Sequence, residues 1–168
     1  MRHPQRLAAL VLSGGCTGMS EASVEEREEF CRSREIPLSE GKTPADFAPD
    51  VVKILAGPDC TDQVKTQLLE SMQTIPSESY ADALRCFTNP TETFDFTTIT
   101  MPVLLMTGDA DKLAPPEEIK QVATRIHKAS PSPDVRFECL HRAGHLCNLE
   151  AANSYNEALI KLVQRVQQ

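Results

Sequence analysis

The sequence is short of positive charge, and this shortage narrows the choice of partners. Its 168 residues contain 17 lysines and arginines against 24 aspartates and glutamates, so the formal net charge is -7. Proteins that bind nucleic acid or acidic membrane surfaces present clustered basic residues. The composition therefore argues against nucleic acid and membranes as partners.

Cysteine motifs are also missing, although cysteine itself is not. None of the six cysteines belongs to a Cys-x-x-Cys pair, which argues against a redox dithiol and against the usual zinc motifs. Cys139, His141, His145 and Cys147 lie close together in sequence, but their spacing matches no common zinc pattern. We therefore expect no metal and no organic cofactor, and we expect reduced thiols in a cytoplasmic protein.

Long apolar runs are absent as well. A membrane-spanning helix needs about 20 apolar residues, and no segment approaches that length. Residues 1–12 have the outline of a signal peptide, but Ser13-Gly14-Gly15 is more typical of a turn that closes a buried strand. We therefore predict a first strand over Leu7–Leu12.

The chain divides into three blocks of different periodicity. Residues 1–19 hold the first strand and the loop after it. Residues 20–92 show four short amphipathic helices, and Ser23-Val24-Glu25-Glu26 fits a capping box that opens the first of them. Residues 93–168 alternate strand, helix, strand and helix, which implies parallel strands joined by right-handed crossovers. The sequence thus predicts an α/β fold with a three-stranded parallel sheet and an inserted lid of four helices.

Two successive strands of the last block are followed by an acid and an imidazole. The apolar run Val103–Met106 ends at Gly108 and delivers Asp111 onto the next loop, while the run Asp134–Leu140 is followed by His145. An imidazole can accept and return a proton near neutral pH, and a carboxylate can hold its tautomer. Taken singly, each residue could be structural, but together they are typical of two members of a catalytic triad.

Each member of this pair lies in a longer motif. Asp111 ends Met101–Asp111, which is followed by Pro115-Pro116, and His145 lies in Ala143–Glu150. They resemble the acid and histidine loops of the α/β-hydrolase family, and most resemble esterases and lactonases of the 3-oxoadipate enol-lactonase type. The resemblance implies a hydrolase with a Ser-His-Asp triad that acts on a small-molecule ester or lactone. It also implies that the acid is the third residue after the glycine, which favours Asp111 over Asp109.

The nucleophile of that family is missing from these residues. Its serine lies in Gly-x-Ser-x-Gly on a strand-to-helix turn, and the sequence contains no such pentapeptide. We therefore expect the chain to correspond to the carboxyl-terminal part of a hydrolase, truncated relative to the family and inactive alone. Gly14-Gly15-Cys16-Thr17-Gly18 leaves an alternative, because some relatives of the fold use cysteine: Cys16 would then be the nucleophile.

Further alternatives concern partners and neighbouring residues. A separate amino-terminal hydrolase chain could complete the triad by pairing with the exposed edge of the first strand, or that edge could mediate self-association. The chain could instead be a non-catalytic module that binds a small ligand. Near His145, we expect His141 to be structural, and Asn148 and Glu150 to cap the last helix.

Overall fold

The computed structural model describes residues 3–15, 17–91, 94–131 and 134–167, which group into two compact units. The first unit consists of Met1–Cys16, Leu55–Thr61 and Phe94–Gln168, and the second of Thr17–Ile54 and Asp62–Thr93. The segment 55–61 groups with the strands, whereas the sequence predicted it inside the helical block 20–92. The physical reason is that this segment bonds the loop that carries His145: the N–H of His145 donates to the carbonyl of Leu55 at 2.9 Å, and the side chains of Glu150 and Arg142 add bonds to Gly57 and Asp59.

Three parallel strands form the sheet of the first unit, in the order β1, β2, β3. They are Leu10–Ser13 (β1), Val103–Gly108 (β2) and Val135–Leu140 (β3). Leu10 is in register with Val103, which is in register with Val135. All six residues of β2 are buried, as an unbroken apolar run predicts for a central parallel strand. The predicted α/β class and parallel sheet are confirmed.

Strand β1 begins at Leu10 rather than at Leu7, so its predicted start is wrong. Pro4–Arg6 form a 3₁₀ turn, and Leu7 is 43% exposed. The ladder to β2 begins where the N–H of Leu10 donates to the carbonyl of Pro102 at 2.9 Å. An apolar run alone could not reveal this start, because the proline turn directs the first residues away from the sheet.

Helices cover both faces of the sheet. Helix α5 (Pro116–Ala129) packs on one face, and helix α7 (Ala152–Val166) packs on the other after a short helix, α6 (Cys147–Glu150). The core under α5 contains Val103, Leu105, Ile119, Val122 and Ile126. The core under α7 contains Leu104, Met106 and Leu162. Successive side chains of β2 therefore enter two different cores, as the alternation of a strand requires.

Four helices follow β1 in the chain, and they supply most of the second unit. They are α1 (Val24–Ser39), α2 (Pro44–Leu55), α3 (Asp62–Gln73) and α4 (Ser77–Thr88). The predicted capping box opens α1: Ser23 Oγ accepts from the N–H of Glu26 at 3.1 Å, and Glu26 Oε2 accepts from the N–H of Ser23 at 2.8 Å. Phe47 of α2 stacks on Tyr80 of α4, with ring centroids 6.1 Å apart. Among the helices in the described ranges, none is long and apolar enough to cross a membrane.

Candidate active site

Asp111 lies on the loop after β2, where its carboxylate is buried and firmly held. Its side chain is 0% exposed. Oδ1 accepts the N–H groups of Leu113 and Ala114, each at 2.9 Å, and Thr107 Oγ1 lies 3.1 Å from Oδ2. Burial by itself would raise the pKa of Asp111, but hydrogen bonds from His145 and from the two backbone amides outweigh it and hold the pKa below the usual 3.8. The carboxylate is therefore ionised at neutral pH.

His145 follows β3 and points its imidazole at this carboxylate. Nδ1 lies 3.0 Å from Asp111 Oδ2 and 3.2 Å from Oδ1. Because the neighbouring oxygens are ionised and can only accept, Nδ1 is the donor, and in the neutral imidazole the lone pair then lies on Nε2. The imidazole side chain is 26% exposed, so it remains accessible from solvent. This is the arrangement that a general base requires.

Gly14 brings the end of β1 against the same imidazole. Its φ is 56°, in the left-handed region, and its N–H donates to the carbonyl of Met106 at 2.8 Å. A methyl group at this position would lie 3.1 Å from Cε1 and 3.2 Å from Nδ1 of His145. The carboxyl ends of all three parallel strands therefore meet at one site, with Gly14, Asp111 and His145 contributed by β1, β2 and β3.

A second acid and histidine pair lies at the same edge of the sheet. Asp109 Oδ2 is 2.8 Å from His141 Nδ1, and Asp109 Oδ1 accepts the N–H of Arg142 at 2.7 Å. Arg142 has a φ of 57°, so Asp109 stabilises a turn in which the backbone is strained. The side chain of His141, the partner of Asp109, is 84% exposed, whereas the side chain of Asp111 is fully buried. Geometry thus gives the two acids different neighbours: Asp109 holds the turn after β3, and Asp111 holds His145.

Glu150 does not have the helix-capping role expected from the sequence. Neither Asn148 nor Glu150 caps α7, whose N-cap residue is Ala151 and which has no side-chain capping bond. Glu150 Oε2 instead accepts the N–H of Gly57 at 2.8 Å and that of Gly144 at 3.2 Å. Gly57 lies 93 residues earlier in the chain, so no local pattern could reveal this contact. Its only signals in the sequence were the two glycines.

The remaining candidates are thiols and the cluster considered for a metal. Cys16, the alternative nucleophile, lies outside the described residues. Cys147 is buried with its Sγ 3.8 Å from Ser13 Oγ, and burial raises the pKa of the Cys147 thiol, while Cys139 is exposed on β3. In the part of the chain that the structure describes, no group of three or more His, Cys, Asp and Glu side chains could hold a metal ion.

Comparison with known proteins finds similarity at the level of structure. No protein-family model matches the chain, and no curated protein matches it. A thermophilic esterase from Thermogutta terrifontis, solved with malate bound, is 22% identical with a TM-score of 0.82, and the match covers 99% of this chain and 59% of that one. A bromoperoxidase from Bacillus anthracis is 16% identical with a TM-score of 0.69, covering 93% and 58%. An esterase from Exiguobacterium antarcticum is 15% identical with a TM-score of 0.70, covering 96% and 57%.

These matches establish the fold. The chain has the α/β-hydrolase fold over the part that it spans, which confirms the fold class predicted from the sequence. It spans between 57% and 59% of the length of these three structures. Because one fold hosts many chemistries, a function has to be argued from the site.

Proposed function

We propose that this chain carries the acid and the histidine of a carboxylic ester or lactone hydrolase. The observation that carries the proposal is the bond between the buried, ionised Asp111 and His145 Nδ1, at 3.0 Å, on the loops after neighbouring parallel strands. Two of the three structural matches described above are esterases. The resemblance of both loops to the 3-oxoadipate enol-lactonase type makes a small ester or lactone the proposed substrate.

The chemistry follows from the two side chains. His145 Nε2 takes the proton of a serine hydroxyl as the oxygen attacks the carbonyl carbon, and it then returns the proton to the leaving alcohol. Water hydrolyses the acyl intermediate by the same proton transfers. Asp111 stays ionised, keeps the proton on Nδ1 before the reaction, and stabilises the imidazolium that forms.

The proposed nucleophile belongs to a segment with Gly-x-Ser-x-Gly, a motif that these 168 residues do not contain. We place this segment beside β1, whether it belongs to the same polypeptide or to another. In the described sheet, β1 is an outer strand that pairs only with β2. An unpaired edge of this kind accepts a further strand readily.

One flank of helix α7 supports docking at that edge. Arg165 bonds Asp134 at 3.1 Å, just before β3, so the flank of α7 that carries Arg165 lies toward β3. At about 100° per residue, Val163 and Ile160 lie on the flank away from Arg165, toward β1. They are 53% and 55% exposed. A helix that accompanies the incoming strand would cover these apolar side chains.

A complementation experiment tests the proposal. The chain is produced alone and together with an amino-terminal α/β-hydrolase segment that carries Gly-x-Ser-x-Gly, and hydrolysis of p-nitrophenyl acetate is measured. Alone, the chain should show no turnover above its Asp111→Ala, His145→Ala double variant, and no labelling by a serine-directed fluorophosphonate. The complemented protein should hydrolyse the ester, and Asp111→Asn should lower kcat on the order of 10⁴-fold.

The exposed pair supplies matched controls. Asp109→Asn and His141→Ala change the same chemical groups at the same sheet edge, and the complemented protein should keep its turnover in both. Equal losses in the two pairs, or full turnover in His145→Ala, would overturn the assignment. Hydrolysis by the chain alone that disappears in Cys16→Ala would establish Cys16 as the nucleophile instead.

A further inference from the structure

The carboxyl group of Glu150 joins two pieces of backbone that are far apart in the chain. Its Oε2 accepts the N–H of Gly57 at 2.8 Å and that of Gly144 at 3.2 Å. Its Oε1 is also buried and makes no hydrogen bond within the described residues. Burying Oε1 without a hydrogen bond is costly, and the two hydrogen bonds of Oε2 offset this cost. The position of Glu150 is therefore tied to these two amides.

The two joined segments touch so closely that only glycine fits. A Cβ at Gly57 would overlap the backbone nitrogen of Gly144 and lie 2.6 Å from Glu150 Oε2. A Cβ at Gly144 would overlap the carbonyl oxygen of Leu55 and lie 2.8 Å from the carbonyl carbon of Ala56. Real Cβ atoms essentially never lie within 3.0 Å of such neighbours. The absence of a side chain at both positions is what allows one oxygen to reach both amides.

His145 directly follows Gly144 and is held by the same segment. Its N–H donates to the carbonyl of Leu55 at 2.9 Å. The histidine loop is thus fastened to residues 55–57 by this bond and by the two bonds of Glu150. None of these bonds involves the imidazole, so they act on His145 through its backbone.

A surface ion pair joins the same two segments, but it contributes less. Arg142 Nε donates to Asp59 Oδ2 at 2.5 Å, and a second guanidinium nitrogen donates to Oδ1. Both side chains are 52% exposed. Solvent-exposed pairs of this kind contribute little to stability, because water and salt screen the attraction between the two charges. The partly buried bonds of Glu150 are therefore the main side-chain link between the segments.

We propose that Glu150 is a positioning residue for His145. By tying Gly144 to residues 55–57, it keeps the imidazole within hydrogen-bond distance of Asp111. Its importance for catalysis rests on the function proposed above, but its effect on the imidazole can be measured without turnover. A displacement of about 1 Å at a reacting group can lower the rate about 100-fold.

The test compares alanine and glutamine at position 150 in the full chain. Glutamine keeps a carbonyl oxygen that can accept both N–H bonds, whereas alanine removes it. The ¹⁵N shifts of the His145 ring report which nitrogen carries the proton, and the Nδ1 proton signal reports the bond to Asp111. Glu150→Ala should lose that signal, and Glu150→Gln should keep it. Asn148→Ala, an exposed change on the same short helix, should leave the spectrum unchanged.

Activity adds a second measurement in the complemented protein. Glu150→Ala should lower kcat about 100-fold with little change in KM, and Glu150→Gln should restore most of the loss. A folded Glu150→Ala chain with an unchanged His145 spectrum would overturn the inference. If Glu150→Ala does not fold, Gly57→Ala serves instead, because its methyl group displaces the same oxygen. An unchanged His145 spectrum in Gly57→Ala would also overturn the inference. An unchanged spectrum in Asp111→Asn would instead refute the proposed catalytic pair.

Discussion

Gly108 ends β2 where the histidine loop crosses it, so alanine at this position should disturb both stability and the candidate site. A Cβ at Gly108 would overlap the carbonyl group of Ala143 and lie 2.5 Å from the carbonyl oxygen of Gly144. Ordinary Cβ contacts begin at 3.4 Å, and 3.4 minus 2.5 gives a displacement of at least about 0.9 Å, since the overlap with Ala143 requires more. Since both neighbours are backbone atoms, no side-chain rotation can relieve the overlap.

The expected effects have different sizes. Overpacking of this kind costs about 1–3 kcal/mol, and each kcal/mol lowers Tm by about 2–4 °C in a chain of this size, so Tm should fall by about 2–12 °C. The distance from Asp111 Oδ2 to His145 Nδ1 is 3.0 Å, and a retreat of the loop by about 0.9 Å directly away from Asp111 would lengthen it to about 3.9 Å. A hydrogen bond does not survive at that distance.

Thermal unfolding and the ¹⁵N spectrum of the His145 ring measure these two effects. Gly15→Ala is the matched control, because the nearest atom to its added methyl group is Leu12 Cβ at 3.9 Å. We expect Gly15→Ala to have the same Tm as the unsubstituted chain and to keep the Nδ1 proton signal. If Gly108→Ala melts at the same temperature as the control and keeps that signal, the close approach of the histidine loop to β2 is refuted.

Three more predictions concern acid, the core and the thiols. The pKa of Asp111 is held below 3.8, so its contribution to stability is complete above that pH and is lost as the pH falls through the lower folded value. Between neutral pH and about pH 3, the free energy of unfolding measured in urea should therefore fall less in Asp111→Asn than in the unsubstituted chain, and equal falls would count against the pair. Leu105→Ala, at a fully buried site, should cost about 2–5 kcal/mol, whereas Ile160→Ala should cost less than about 0.5 kcal/mol; similar costs would contradict the core. Cys147, which is buried and has a raised pKa, should react with iodoacetamide far more slowly than exposed Cys86, and equal rates in the folded chain would be incompatible with its burial.

Local patterns were enough to predict much of the fold. The unbroken apolar run of β2 indicated a strand covered on both faces, and the structure buries all six of its residues. The capping box at Ser23 and Glu26 depends on residues three apart, so it could be predicted from the sequence alone. The start of β1 could not, because the turn at Pro4–Arg6 and the pairing with Pro102 decide where the ladder begins.

The candidate site was predictable to a smaller extent. Asp111 and His145 could be selected because each follows a strand, but the choice of Asp111 over Asp109 depended on resemblance to a family. In the structure, the difference between the two acids comes from burial and from their partners, which a linear pattern does not contain. Glu150 was assigned wrongly for the same reason: its hydrogen bonds reach Gly57 across 93 residues.

Because β2 is the central strand, the two members of the candidate pair differ in their stability against local unfolding. β2 has a strand on each side and is buried throughout, so its amide hydrogens should exchange with solvent only when the whole unit opens. Asp111 follows this strand after two residues. His145 depends on β3, an outer strand of the described sheet with three exposed positions, and on contacts with residues 55–57. Mild destabilisation should therefore release the histidine first, and the proposed proton transfer would be lost while the acid and its strand are still in place.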